Sequence, residues 1–120
     1  MEQMNSAKGH IRLFQEMIVL AVNDYVRGEL EARGMYPSRG KQAISDIRRN
    51  YKSAVYFLWG DGLIDWVETT GMEKYLNIYA VRERAVKKVK RTIKWLKQMG
   101  KTADRWGQKN KLEKYLKEMF

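Results

Sequence analysis

The residues best suited to chemistry are three carboxylates, Asp61, Asp65 and Glu68, which are spaced i, i+4 and i+7. On one helix they would share a face, and a row of carboxylates can hold Mg²⁺ for phosphoryl transfer. The same acids can instead form ion pairs with a neighbouring cationic helix. Because no histidine or lysine is arranged around them as in a metal-dependent active site, we favour ion pairing over a nuclease centre and expect no metal site.

The rest of the chain offers little to a catalytic mechanism. It contains no cysteine, so neither a thiol nucleophile nor a thiolate metal site can form. The single histidine, His10, stands near the start of a predicted helix, where a surface group is more typical than a general base. Gly60-Asp61-Gly62 is too short for a phosphate-binding loop. We predict a protein that is not an enzyme and that uses no cofactor.

Positive charge is the strongest feature, and it is confined to the last third of the chain. Residues 1–79 hold 10 lysines and arginines against 10 acids, whereas residues 80–120 hold 14 against 4, which accounts for the whole net charge of +10. Such asymmetry is typical of proteins that bind a polyanion, and nucleic acid is favoured over a membrane. A charged surface without a ligand, an acidic protein partner and a lipid partner are the alternatives.

Most of these cations fall on a predicted helix from Val81 to Met99, in which Glu83 is the only acid. Its apolar residues repeat with a 3-4-3 spacing that predicts one buried seam, formed by Val86, Val89, Ile93 and Leu96. The opposite face is cationic and is predicted to contact phosphates. The cations assigned to this contact are Arg84, Lys87, Lys88, Lys90, Arg91, Lys94 and Lys97, with Lys101 beyond the helix. Arg39, Lys41, Arg48 and Arg49 could extend the basic face.

Tryptophans lie among these cations and could stack on unpaired bases. Trp95 adjoins Leu96, so one of the two must point away from the seam, and Trp95 is the better candidate for an exposed contact. At helical spacing, however, tryptophans are more often anchors of a core, and we favour that interpretation for the aromatic residues as a group.

The segment from Leu63 to Arg91 has the order of parts of a helix-turn-helix: a short helix, a turn at Gly71 and a second helix. In that arrangement the second helix enters the major groove of DNA, where Asn77 and Arg82 can offer paired hydrogen bonds to base edges. Lys74 and Arg84 are the other exposed residues predicted early in this helix.

Hydrophobic periodicity predicts an all-α, single-domain bundle of four to five helices with a long basic C-terminal helix. We assign residues 1–100 to a helical core domain and residues 101–120 to a basic helical extension of the same domain. The predicted helices cover about residues 6–27 with a possible extension to Arg33 and Gly34 as the C′ residue, a second from Ser38 or Gly40 to Trp59, a third at 63–70, and a fourth from 72 or 73 to 99. No stretch is long and apolar enough to predict a transmembrane helix.

Parts of the chain resemble small uncharacterised all-helical proteins of Firmicute phages and prophages, over about residues 11–91. The matching residues are Ala21, Val22, Asp24 and Tyr25 in the first helix, Phe57 and Trp59 at the end of an aromatic helix, and Arg82 in the helix after a glycine turn. The resemblance implies an all-α fold and a phage origin, and thus the cytoplasm of the host cell as the location.

Two function hypotheses follow. The first is a phage-type nucleic-acid-binding protein, with DNA favoured, that has a regulatory or packaging role and grips phosphates with its last helices. The second is a non-enzymatic protein-interaction module that binds and modulates a host protein or nucleic-acid machine. The 3-4-3 seam also suits a homodimer. The first hypothesis requires that the cations of the basic helix are not neutralised by the chain's own acids.

Overall fold

A computed structural model describes the backbone of residues 2–37, 40–74, 76–99 and 105–118, and the side chains of these residues except 2–11 and 105–108. Within these ranges the chain forms helices and no strand, which confirms the predicted all-α, single-domain bundle. The helices are α1 (Glu2–Ala32), α2 (Lys41–Trp59), α3 (Asp61–Thr70), a 3₁₀ turn (Met72–Lys74), α4 (Ile78–Met99) and α5 (Arg105–Lys117). No helix in these ranges combines the length and the apolar character needed to cross a membrane.

Helix α1 passes through Gly28 without a break and ends at Ala32, one residue before Arg33, the longer of the two predicted boundaries, with Gly34 just beyond it. Gly34 has a positive φ of 69°, and the Met35 amide donates to the Leu30 carbonyl at 2.8 Å. This left-handed C-terminal cap is typical of glycine, because a side chain at positive φ is strained.

Gly28 is needed for a close crossing of two helices. A Cβ atom placed there would lie 2.2 Å from the ring of Tyr51 in α2, which is far inside van der Waals contact. The Tyr51 ring also stacks on Tyr25, with 5.7 Å between the centroids, and its hydroxyl donates to Glu29. Glycine therefore lets α2 lie directly on α1 at this point, and its cost in helix propensity is offset by the packing it permits.

Helix α1 is the centre of the core, because α2, α4 and α5 all pack on it. Its buried residues alternate with a helical period and meet apolar residues of every other α-helix. Each buried valine, leucine, isoleucine or phenylalanine side chain contributes roughly 1.5–3 kcal/mol when it leaves water. The buried set includes Phe14, Ile18, Val22, Val26 and Leu30 of α1, Ala54 and Leu58 of α2, Leu63 and Val67 of α3, Val81, Ala85 and Val89 of α4, and Leu112 and Leu116 of α5.

Helix α5 is joined to α1 by a half-buried polar cluster as well as by its leucines. Arg27 donates two hydrogen bonds to the Glu113 carboxylate, at 3.1 and 2.7 Å, and the Tyr36 hydroxyl donates to the same carboxylate at 2.8 Å. A bidentate arginine–carboxylate pair fixes orientation as well as distance. The last described helix is therefore a packed part of the bundle, although most of its charged residues are basic.

The inward face of α4 is rotated relative to the predicted seam. Val86, placed in the seam by its apolar character, is exposed, whereas the buried residues include two polar ones, Lys88 and Thr92. Thr92 is satisfied by donating to the Lys88 carbonyl at 2.7 Å. Polar side chains can occupy an inward face when each finds a hydrogen-bond partner there, and apolar spacing alone does not reveal this.

Candidate nucleic-acid interface

The outward side of α4 carries a continuous row of exposed cations, which we call the α4 surface. Between residues 84 and 97 the helix rises about 20 Å, since each residue adds about 1.5 Å. Helix α5 adds exposed cations of its own at Lys111, Lys114 and Lys117. The α4 surface consists of Arg84, Lys87, Lys90, Arg91, Lys94 and Lys97.

The described acids neutralise little of the α4 surface. Lys87 pairs with Glu83 at 2.8 Å, and the hydrogen bond from Lys87 lowers the pKa of the Glu83 carboxyl. Both side chains are exposed, so this pair contributes little to stability. Among the residues that the structure describes, four cations of the α4 surface have no acidic partner: Lys90, Arg91, Lys94 and Lys97.

The three acids of α3 form no described ion pair with the α4 surface. Asp61, Asp65 and Glu68 are exposed and form no ion pair with any described residue, so the expected pairing with the basic helix is wrong for the part of the chain that the structure covers. Nor does any group of three acids or histidines among the described side chains have the geometry of a metal site.

Lys88 does not belong to the exposed surface to which the sequence assigned it. Only 3% of the residue is exposed, and its ammonium donates to the Asn23 side-chain oxygen at 2.9 Å and to two carbonyls at the end of α5, of Leu116 and Glu118, at 3.2 and 3.3 Å. Burial lowers the pKa of this amine, and the nearby charges of Arg91 and Arg27 act in the same direction. The carbonyls at a helix C-terminus lack helical partners and carry partial negative charge, so a buried cation fits there.

Two residues assigned to base edges are also used within the fold. The Asn77 side chain accepts a hydrogen bond from the Ala80 amide at 3.2 Å and so caps the first turn of α4. The Arg82 guanidinium donates through Nε to the Leu58 carbonyl at the end of α2, at 2.6 Å, and lies 5.9 Å from the centre of the Tyr79 ring. Each side chain therefore already makes a hydrogen bond within the chain, at an atom that the predicted base contact could also use.

The connection between α3 and α4 also differs from a helix-turn-helix. It runs from residue 71 to residue 77, which is longer than the three or four residues typical of that motif, and contains the 3₁₀ turn. The predicted start of the last long helix at residue 72 or 73 is therefore wrong, because α4 begins at Ile78. Lys74 lies exposed in the 3₁₀ turn, ahead of the helix on which it was predicted.

Trp95 is a packing residue. Its ring stacks on Tyr115 of α5 at 4.6 Å with 13° between the planes, and the residue is half-buried. Trp66 likewise stacks on Phe14, at 4.2 Å. The general expectation of tryptophans as core anchors therefore describes these two better than the expectation of an exposed Trp95. Lys101 and Arg39 lie outside the described residues.

A second basic face, on α2, is more extensive than sequence reasoning suggested. The sequence analysis predicts a basic cluster that includes Lys41, Arg48 and Arg49, but it does not predict that the face continues through Lys52 to two aromatic residues. The signal was present as a spacing of i, i+4, i+7, i+8, i+11, i+15 and i+18, which follows one side of a helix. We call this face the α2 surface, and all its residues are exposed: Lys41, Ser45, Arg48, Arg49, Lys52, Tyr56 and Trp59.

Comparison with protein family models, with curated proteins and with solved structures finds no match to this chain. The resemblance to phage proteins therefore stays a prediction, and the geometry of the basic surfaces carries the proposals below.

Proposed function

We propose that the protein is a non-enzymatic nucleic-acid-binding protein that contacts the phosphates of DNA through the α4 surface. The observation that carries this proposal is a set of four exposed cations of the α4 surface, Lys90, Arg91, Lys94 and Lys97, that have no acidic partner among the described residues. A regulatory or packaging role in a phage is part of the same proposal, supported by the resemblance of residues 11–91 to phage proteins.

The α4 surface favours duplex contacts that are largely independent of sequence. Duplex DNA carries about one negative charge per 1.7 Å of its axis, so a cationic row about 20 Å long can approach several phosphates. Phosphate contacts position a protein, whereas base contacts specify the sequence. Because Asn77 and Arg82 already make hydrogen bonds within the chain, we expect weak discrimination between DNA sequences.

The salt dependence of binding tests this proposal. Affinity for a labelled duplex of about 20 base pairs, measured by fluorescence anisotropy at rising salt, should fall with a slope of about −0.9 per phosphate contacted. The double variant Lys90→Ala/Lys94→Ala should reduce the slope by about 1.8, because two contacts are removed. A matched control, Lys41→Ala/Lys52→Ala, removes the same charge from α2 and should change the slope less. No duplex binding at low salt, or an equal effect of the two double variants, would contradict the proposal.

A protein-interaction function is the second candidate, and an apolar strip on α1 favours it. Leu13 and Leu20 are 52% and 60% exposed, and Met17 between them is 38% exposed. Their i, i+4, i+7 spacing places them on one face of the helix, as in a helix that docks on a partner or on a second copy. Leu20→Glu should then abolish a complex that withstands nuclease treatment, or a dimer seen by light scattering. Retention of either species would exclude this strip as its interface.

A further inference from the structure

The α2 surface combines cations with exposed aromatic residues, whereas the α4 surface consists of cations. Its cations occupy the first three turns of α2, and its exposed aromatic residues, Tyr56 and Trp59, occupy the last turn. From residue 41 to residue 59 the helix rises about 27 Å. No acid lies on this face of the helix, since Asp46, the only acid of α2, belongs to another side.

The cations of the α2 surface line an open concavity of about 640 Å³. Arg48 pairs with Glu31 at 2.7 Å, and Arg49 pairs with Asp46 at 2.9 Å. Within the part of the chain that the structure describes, Lys41 and Lys52 have no acidic partner. The described residues around the concavity are Lys41, Ile44, Ser45, Arg48, Arg49 and Lys52. A ligand there meets four cations, of which Arg48 and Arg49 are already paired with acids outside the lining.

The aromatic residues at the end of this face have ring surface to offer. Tyr56 is 65% exposed and has no ring partner among the described residues. Trp59 is 37% exposed and lies tilted against Tyr25, with 4.6 Å between the ring centroids, so its position is held from the core side. The two residues are separated by about 4.5 Å along the helix axis.

We propose that the α2 surface is a binding site for single-stranded nucleic acid. Lys41, Arg48 and Lys52 hold the phosphates along the concavity, while Tyr56 and Trp59 stack on unpaired bases. Cations that follow the backbone together with aromatic side chains that receive bases are the two elements by which proteins hold single strands. A duplex keeps its bases stacked on each other, so it can use the cations of this face but gains nothing from the exposed ring of Tyr56.

This inference goes beyond the proposed function, because it assigns a different ligand to a different helix. It rests on the proposed function only because both ligands, the duplex and the single strand, are nucleic acids. An acidic protein segment would also satisfy the cations of the α2 surface, so the response to changes at Tyr56 decides between the two ligands.

The test compares the affinities of a labelled oligothymidylate of about 15 nucleotides and of a duplex, both measured by fluorescence anisotropy. Tyr56→Ala should weaken the single strand by about fivefold or more, the loss of one stacked base. Tyr56→Phe keeps the ring and should bind within about twofold of the unchanged protein. Tyr79→Ala removes another highly exposed tyrosine, outside α2, and should leave single-strand binding equally unaffected.

Charge-matched variants separate this proposal from the previous one. Lys41→Ala/Lys52→Ala should weaken the single strand more than the duplex, and Lys90→Ala/Lys94→Ala should do the opposite. Single-strand affinity that is unchanged in Tyr56→Ala, or equally reduced in Tyr79→Ala, would overturn the α2 site even if the duplex still binds. Binding of the single strand without binding of the duplex would overturn the proposed function and leave the α2 site supported.

Discussion

Helices α4 and α2 are both rich in cations, but they place them differently. In α4, Lys88 and Arg82 turn inward and donate to carbonyls at the ends of α5 and α2. In α2, every lysine and arginine is exposed. Arg48 pairs with Glu31 of α1 at the surface, whereas the buried contact with α1 uses Tyr51 against Gly28. Whether a lysine or arginine is available to a ligand thus depends on which groups of the neighbouring helices face it. A helix that meets the C-termini of its neighbours can donate hydrogen bonds to their free carbonyls, and lysine and arginine side chains supply such donors.

The two surfaces also differ in their aromatic residues. On α4 the indole of Trp95 is stacked on α5, whereas on α2 Tyr56 is left open beside the cations. Helix α4 also carries an exposed ring, that of Tyr79, but this ring lies beside Arg82 at the start of the helix, before the first cation of the α4 surface. We therefore expect the α4 surface to act mainly through charge and the α2 surface through charge and stacking. If this comparison is correct, inward-facing residues of α4, α2 and α5 should contribute to stability, whereas the exposed cations of α4 and α2 should not.

The largest expected effect is at the inward cation of α4. Lys88→Met should lower the free energy of unfolding by about 2–3 kcal/mol, because the Asn23 oxygen and the Leu116 carbonyl lose a buried donor. Urea unfolding followed by circular dichroism measures this loss. Lys90→Met, the control two residues further along, should change stability by less than about 0.5 kcal/mol. Equal stability of the two variants would mean that Lys88 is not a structural residue.

The next effect concerns the crossing that holds α2 in place. Gly28→Ala should cost about 2 kcal/mol, because the new methyl group and the Tyr51 ring cannot both fit. Gly40→Ala, where a Cβ would meet its nearest neighbour at an ordinary 3.7 Å, should cost about 0.5 kcal/mol or less. In a double-mutant cycle, Tyr51→Ala should remove most of the cost at Gly28. Additive effects of the two changes would show that the clash is not at Tyr51.

A smaller, pH-dependent effect is expected where α5 joins α1. Burial by itself raises the pKa of the Glu113 carboxyl, but hydrogen bonds from Arg27 and Tyr36 outweigh it and hold the pKa below its usual 4.5. A depressed pKa means that this carboxylate stabilises the fold above pH 4.5 and loses that contribution as the pH falls below it.

Glu113→Gln measures this contribution. The variant should be less stable than the unchanged protein by about 1–2 kcal/mol at neutral pH, and the difference should shrink as the solution is acidified below pH 4.5. Denaturant unfolding at several pH values checks the trend. A difference that stays constant with pH would show that the carboxylate charge is not what holds α5 on α1.

The smallest effect is expected for the exposed cations of both surfaces. Lys90→Ala/Lys94→Ala and Lys41→Ala/Lys52→Ala should each change the free energy of unfolding by less than about 0.5 kcal/mol, because these exposed side chains have no described acidic partner to lose. Thermal unfolding of the two variants, measured beside the unchanged protein, tests this expectation. A substantial loss in either would assign its lysines a structural role and weaken the corresponding binding proposal.

Much of the fold could be predicted because it depends on local pattern. Neighbouring residues determine the apolar period of α1, the glycine cap at Gly34 and the turn at Gly71. In the structure, α1 and α3 end within two residues of these glycines, as predicted. The start of α4 could not be predicted from this pattern. A 3₁₀ turn and an Asn77 cap precede the helix, and the spacing of apolar residues continues through both.

The chain's own sequence determined that this is a helical protein with its excess positive charge in the last third, since periodicity and charge are properties of the residues in order. Only the tertiary structure decided which cations face outward. Lys88 and Lys90 are the same residue type two positions apart, yet one meets carbonyls of α5 and the other faces outward. That difference comes from the position of a helix about 30 residues away in the chain, and no local pattern contains it.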